Sequence, residues 1–176
     1  MSATHTETII LGGGCFWCFD AAYKLVKGII SVEQGYSGGD VVNPTDDDIY
    51  SEKSGHAEVV RLTYDPKIIS LADVLEIFWT LHDPTTLNKQ GFDIGPQYRS
   101  IVFYSNEAQK KVIDAAMKKA QAVWDNKIVT EVKEFEKFYS AAEYHKDYEK
   151  NRPDYCQIVI NPKLQKLREK FAARLV

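Results

Sequence analysis

Three consecutive glycines at positions 12–14 constrain this chain more than any other feature. Lacking Cβ atoms, they admit backbone angles closed to other residues and let a ligand approach the main chain. Residues 8–11 (TIIL), just before them, read as a short buried strand. Residues 15–27, just after, suit a helix that Gly28 stops. The glycines therefore mark a strand-to-helix turn, and the helix opens on a cysteine.

Strand and helix periods continue to alternate. IISVEQGY (29–36) and AEVVRLTY (57–64) read as strands. Between them lies GGDVVNPTDDDIYSEKSG, too polar and turn-rich for a core element, and a loop of that length in a compact domain is functional or mobile. Ser70 and Asp73 form a capping-box pattern, with Leu71, Val74, Leu75, Phe78 and Trp79 on one apolar face. Residues 98–104 suit a strand and 106–125 a long helix. The order β-α-β-β-α-β is that of a ferredoxin-like split layer. The expected fold is α/β (α+β), a mixed sheet with packed helices and a C-terminal extension. That extension follows a strand near 128–133 and holds a short polar helix, then a last one opened by Asn161 as N-cap and Pro162 at the first position. With 176 residues and no long linker or repeat, residues 1–176 are expected to form a single domain.

Composition removes several function classes. Hydrophobic residues at 44% and charged residues at 27% are ordinary globular proportions, enough for a core without disulfide staples. A formal net charge of −3 carries no basic surplus for nucleic acid or an anionic membrane. No apolar run approaches the roughly 20 residues of a membrane helix. MSATHTETII has neither the basic nor the long apolar region of a secretory signal. Three cysteines are too few, and an awkward number, for a secreted disulfide scaffold. These features predict a cytoplasmic protein with no nucleic-acid or membrane partner. The absence of heptads gives no reason to expect anything but a monomer.

The cysteines then need explaining. Cys15 falls at a helix N-terminus, where free amides and the helix dipole favour a thiolate and lower its pKa below about 8.5. A small buried hydrophobe is the plain alternative, but the glycines and a second thiol at Cys18 favour a nucleophile. The spacing of Cys15 and Cys18 supports thiol–disulfide exchange or metal ligation. Zinc needs four ligands, and only Cys156 plus a histidine could complete the set, so no metal is expected. A cysteine phosphatase needs an arginine six residues after its nucleophile, where Ala21 stands. A papain-like order is loosely matched by Cys18-Phe19, His145 and Asn161, without the surrounding glycine and glutamine. Phe16 and Trp17 suit either the core or a pocket wall. His56 and Glu58 share a strand face where the long loop enters it; Glu58 is either a desolvated general acid or a solvated edge charge. Residues 82–100 form a turn-rich run carrying Asp83, Asp93, Tyr98 and Arg99.

Taken together, GGGCFWC, GYSGG (35–39), SGHAEV (54–59), HDPTTLNKQG (82–91), DIGPQYRS (93–100) and AEYHKDY (142–148) resemble the A-type peptide methionine sulfoxide reductases, in order, over a core of about residues 8–160. The resemblance implies that Cys15 attacks the sulfoxide sulfur and becomes a sulfenic acid, releasing methionine. It implies that Glu58 protonates the sulfoxide oxygen, Tyr36 and Tyr98 hydrogen-bond to it, and Asp93 lines the polar side. Phe16 and Trp17 would hold the substrate methyl. A second cysteine, Cys156 or Cys18, would form a disulfide that thioredoxin reduces, or dithiothreitol in vitro, with no bound cofactor. The substrate implied is methionine-S-sulfoxide, in proteins or free, and the role is repair of oxidised proteins. The residue types suit that chemistry, since a sulfoxide is a poor electrophile until its oxygen takes a proton. An apolar wall opposite a polar one can read the handedness of the sulfur. The family's usual GCFWG here ends in Cys18, and Asp20, Asp46 and Lys146 stand where glutamate, an aromatic and glutamine are common. Two sulfurs one helical turn apart need local unwinding to bond. Cys156 in a tail loop is therefore expected to resolve the sulfenic acid first, with Cys18 relaying the disulfide.

Overall fold

A computed structural model describes residues 3–176. β1 (Glu7–Gly12) passes through the glycines into α1 (Phe16–Tyr23), followed by β2 (Ile29–Ser37), α2 (Asp46–Tyr50), β3 (Ala57–Tyr64) and α3 (Leu71–Leu81). The two-residue strands β4 (Lys89–Gln90) and β5 (Asp93–Ile94) pair with each other, apart from the main sheet. Then come β6 (Ile101–Tyr104), α4 (Glu107–Gln121), β7 (Glu131–Glu134) and β8 (Tyr139–Ser140).

The main sheet runs β7-β6-β1-β3-β2-β8. Its central strands β6, β1, β3 and β2 are antiparallel neighbours, the expected ferredoxin-like arrangement. β7 joins β6 in parallel and makes the sheet mixed. Strand alternation divides the side chains between two faces. Val60, Leu62 and Tyr64 enter the main core with Phe19, Phe78 and Leu75 of the helices. Ala57 and Val59 turn the other way, with Ile10, Ile101 and Phe103, under Phe135 and Phe138. Both faces of β3 are thus covered from Ala57 to Val60, while Arg61 and Thr63 further along are only partly buried.

Several boundaries differ from the sequence reading. α1 ends at Tyr23 rather than residue 27, because Val26 leaves the helix to bridge Leu175. The long polar loop contains α2, where Thr45 and Asp48 form a reciprocal capping box. On α3, Ser70 accepts the Asp73 N–H at 3.1 Å, but the Asp73 carboxylate takes Arg174 at 2.9 Å. Asn161 is not a cap: its φ of −57° and ψ of −41° are helical. The tail instead runs through α5 (Tyr148–Asn151), α6 (Pro153–Tyr155) and a π turn at Cys156–Ile160 into α7 (Asn161–Phe171). Pro162 lacks the N–H for an α-helical bond, and the wider turn just before it absorbs that loss. This tail folds back on α1, with Ile160 and Tyr148 against Cys18. No helix among the described residues is long and apolar enough to cross a membrane.

Candidate active site

The C-terminal end of β1, the N-terminal end of β3 and the start of α1 meet at one end of the central strands. A Cβ on Gly12 would lie 2.3 Å from the Glu58 carbonyl oxygen, so only glycine lets the two strands approach here. Gly14, at φ +97°, turns the chain into α1, and its N–H donates to the Tyr98 carbonyl at 3.0 Å. Cys15 is the N-cap, extended at φ −62° and ψ 130°. The next amide, Phe16 N–H, donates to Glu58 Oε1 at 3.3 Å. The helix start thus holds the carboxyl beside the thiol.

Burial dominates the electrostatics. Cys15 is 8% exposed and Glu58 5%. Burial pushes the Cys15 thiol well above its ordinary range, Glu58 and Cys18 add to that, and the Trp17 amide opposes it. The lowered thiol pKa expected from a helix N-terminus is therefore corrected: desolvation beside a carboxyl outweighs the dipole. Burial also pushes Glu58 up to about 8, against the stabilising Phe16 N–H, with Asp93 adding and a hydrogen bond from Cys15 opposing. Glu58 is desolvated, not an edge charge.

Polar groups surround this pair. Tyr36 faces Glu58 across the β2–β3 register and donates to Asp46 Oδ1 at 3.2 Å. Burial, reinforced by Glu58, pushes the Tyr36 and Tyr98 phenols up, keeping both as neutral donors. Asp93 accepts the Tyr155 hydroxyl at 2.5 Å, and burial raises its carboxyl. On the apolar side, Phe16 is buried, with ring centroids 5.7 Å from Tyr36 and 5.1 Å from an edge-on His145. Trp17 is partly exposed, stacked on Tyr148 at 5.8 Å and met edge-on by Tyr155 at 5.6 Å.

Of the other thiols, Cys18 is on α1 itself and Cys156 is on the tail packed against it. Cys18 is buried, pushed up to about 11 by that burial, and its sulfur lies 4.0 Å from the Tyr155 hydroxyl. Cys156 is half-buried in the π turn, not in a loop, and its thiol donates to the Tyr148 carbonyl at 3.8 Å. Cys18 and Cys156 share one cluster with Tyr148 and Ile160, whereas Cys15 belongs to the main core.

Some sequence candidates do other work. His56 lies outside β3; it accepts the Gly39 N–H at 3.0 Å and bonds the Val41 carbonyl at 2.7 Å, pinning the loop. Arg99 donates to the Gly55 carbonyl at 2.9 Å and Asp83 caps Thr85. Sequence reading missed Tyr155, Tyr148, His145 and Asp46 as parts of the site. No helical periodicity links Tyr148 and Tyr155, because the chain breaks between them at Arg152, with φ −137° and ψ 64°. His145 turns to Asp46 at 3.1 Å, not to Cys18, so the papain-like pairing does not form. No cluster of three metal-ligating side chains occurs among the described residues. A groove of about 840 Å³ between α3, α4 and α7 is lined by none of the thiols.

A buried thiol in contact with a buried carboxyl, ringed by phenols and backed by two further thiols, defines a thiol oxidoreductase centre. Residues 7–175 match the family described as peptide methionine sulfoxide reductase. The chain is 52% identical over 167 residues to peptide methionine sulfoxide reductase MsrA of Saccharolobus solfataricus, covering 94% of each. It is 49% identical to the MsrA of Sulfolobus acidocaldarius, over 94% of this chain and 95% of that one. Among solved structures, reduced Mxr1 from Saccharomyces cerevisiae superposes with a TM-score of 0.79 at 33% identity, over 84% of this chain and 86% of that one. Mxr1 in complex with Trx2 gives a TM-score of 0.59 at 29% identity, over 78% and 81%. This chain belongs to the peptide methionine sulfoxide reductase family, oxidoreductases that reduce methionine sulfoxide by thiol chemistry.

Proposed function

We propose that residues 1–176 work as one monomeric catalytic unit that reduces methionine-S-sulfoxide, free or in proteins, in the cytoplasm. The observation that carries the reading is the contact of Cys15 with Glu58, both raised and both buried. With one proton between them, Glu58 takes it from the thiol and passes it to the sulfoxide oxygen as the Cys15 sulfur attacks the substrate sulfur. The attack joins the two sulfurs; that bond and the sulfoxide S–O bond then break as the oxygen passes to the Cys15 sulfur, and methionine leaves. The thiol proton ends on the sulfenic acid. Tyr36 and Tyr98 donate to the substrate oxygen, Asp93 lines that polar side, and Phe16 and Trp17 pack the methyl. The opposed walls favour the S epimer.

A second thiol then expels water from the sulfenic acid and closes a disulfide. The packing favours the reverse of the order expected from sequence. Cys15 is an extended N-cap whose carbonyl accepts the Cys18 N–H at 3.1 Å, so one short turn joins the two residues although Cys15 itself is not helical. Cys18 lies close enough to Cys15 for its charge to act on that thiol, whereas Cys156 meets Tyr148, Glu149 and Asp154 instead. Cys18 therefore resolves, and Cys156 receives the disulfide by exchange. The reductant is thioredoxin, a reading supported by Mxr1 having been solved in complex with Trx2; dithiothreitol replaces it in vitro, and no bound cofactor is needed.

Single-turnover reduction of the separated S and R epimers of N-acetyl-methionine sulfoxide tests the reaction. Loss of S alone, abolished in Cys15→Ser, is expected; activity on neither epimer with the thiols reduced refutes the reading. Mass mapping of Cys156→Ser after one turnover should find a Cys15–Cys18 bridge. A persistent sulfenic acid there would restore Cys156 as the first resolver.

A further inference from the structure

One oxygen atom at the site joins three separate parts of the fold. Asp46 Oδ1 accepts the Tyr36 hydroxyl from β2 at 3.2 Å and the His145 Nε2–H from the tail at 3.1 Å. Asp46 itself opens α2, and its side chain is 24% exposed. His145 is 3% exposed and lies against both rings of the apolar wall, 5.1 Å from Phe16 and 6.0 Å from Trp17. Its Nδ1 is buried without a partner, so Asp46 is the polar group that orients the ring. A phenol has one proton to donate. In the substrate-free site Tyr36 spends it on Asp46, and a bound sulfoxide oxygen must draw it away.

We propose that Asp46 is a positioning residue of this reductase, parking the Tyr36 hydroxyl beside the sulfoxide-oxygen site and, through His145, latching the tail over Phe16 and Trp17. The inference rests on the reading of the site given above. The groups facing Asp46 are Tyr36 from β2, Tyr50 from its own helix and His145 from the tail, with Glu58 of β3 beyond Tyr36. Glu58 in turn faces Cys15, Asp93 and the Asp46 charge. A negative charge so placed favours the protonated form of Glu58.

The test is kcat/KM against pH, with N-acetyl-methionine-S-sulfoxide and dithiothreitol, for the wild type and three full-length variants. In the free enzyme, the singly protonated Cys15–Glu58 pair forms as pH rises through the Glu58 value of about 8, so kcat/KM should rise there. Asp46→Asn keeps an accepting oxygen and loses the charge. Its rise should move to lower pH by about half a unit, the effect of one charge across a partly buried site, with KM unchanged. His145→Phe keeps the ring and loses the latch, so KM should increase about three- to tenfold, the worth of one hydrogen bond, with no pH shift. Asp46→Ala should show both changes. A rise that stays put in Asp46→Asn, or an unchanged KM in His145→Phe and Asp46→Ala, overturns the proposal. An inactive wild type instead defeats the parent reading.

Discussion

Replacing Glu58 by glutamine should make the protein more stable and nearly inactive, and the stability gain should depend on pH. Below about pH 4.5 the carboxyl is protonated in both folded and unfolded chains, so burial then carries no charge. Between that value and the folded one of about 8, the unfolded chain releases the proton while the folded chain keeps it. The folded state therefore loses about 1.4 kcal/mol for each pH unit in that window. The loss reaches about 3 kcal/mol at pH 7 and about 5 kcal/mol above pH 8. Glutamine keeps the acceptor for the Phe16 N–H but buries an amide, which subtracts on the order of 1 kcal/mol. A net gain of about 2 kcal/mol at pH 7 corresponds to roughly 4–8 °C in Tm for a chain of this size. Thermal melts of wild type and Glu58→Gln at pH 5, 7 and 8.5 measure it, with the two curves meeting near pH 5. Single-turnover rates on the S epimer should fall about 10²- to 10⁴-fold in the same variant. A Tm difference independent of pH would refute the buried-carboxyl argument, and a wild-type rate would refute the proton-transfer role.

Gly12→Ala places a Cβ 2.3 Å from the Glu58 carbonyl, so a loss of about 3 kcal/mol or more is expected in urea unfolding; an unchanged midpoint would show that the strands can part freely. Tyr155→Phe removes the 2.5 Å bond to Asp93 and should lower kcat/KM about tenfold, and a change under twofold would exclude Tyr155 from the site. His82 is buried against Phe78 and Ser100 and held down to about 3. Its neutral form stabilises the fold above about pH 6.5, and that contribution is lost as pH falls toward 3, because the unfolded chain takes up the proton first. His82→Gln should therefore flatten the decline in stability between pH 6 and 4, and a decline as steep as in wild type would mean that other groups cause it.

The central layer was legible because its signals are local and periodic. The β1–glycine–α1 turn, β2, β3 and the apolar face of α3 each follow from residues close in sequence, and all appear with small shifts in their ends. Cys15 and Glu58 stand out from the residues themselves and Asp93 and Tyr98 from a turn-rich run, Tyr36 only from the resemblance, and all five converge at one end of the central strands. The tail was read less well. Asn161-Pro162 looks like a helix start, but packing of Ile160 and Leu167 against the body keeps the chain helical through it. Burial was the other blind spot. A cysteine at a helix N-terminus suggests a low pKa, yet the sequence does not say that Glu58 will close over it in a dry pocket. His145 and Asp46 stand 99 residues apart, and nothing local in either segment announces their pairing.

The high proton affinity of Cys15 also bears on the enzyme's own survival. Peroxide and similar oxidants react with thiolates, and oxidation beyond the sulfenic stage ends a cysteine's working life. A thiol that is 8% exposed and raised by its surroundings is kept protonated in the empty site. It is thus shielded from the agents that create its substrates. Cys15 in the empty site should therefore react with peroxide more slowly than a free thiol does, the cost to the reductase of working amid oxidants being reduced by the same burial that shapes its site.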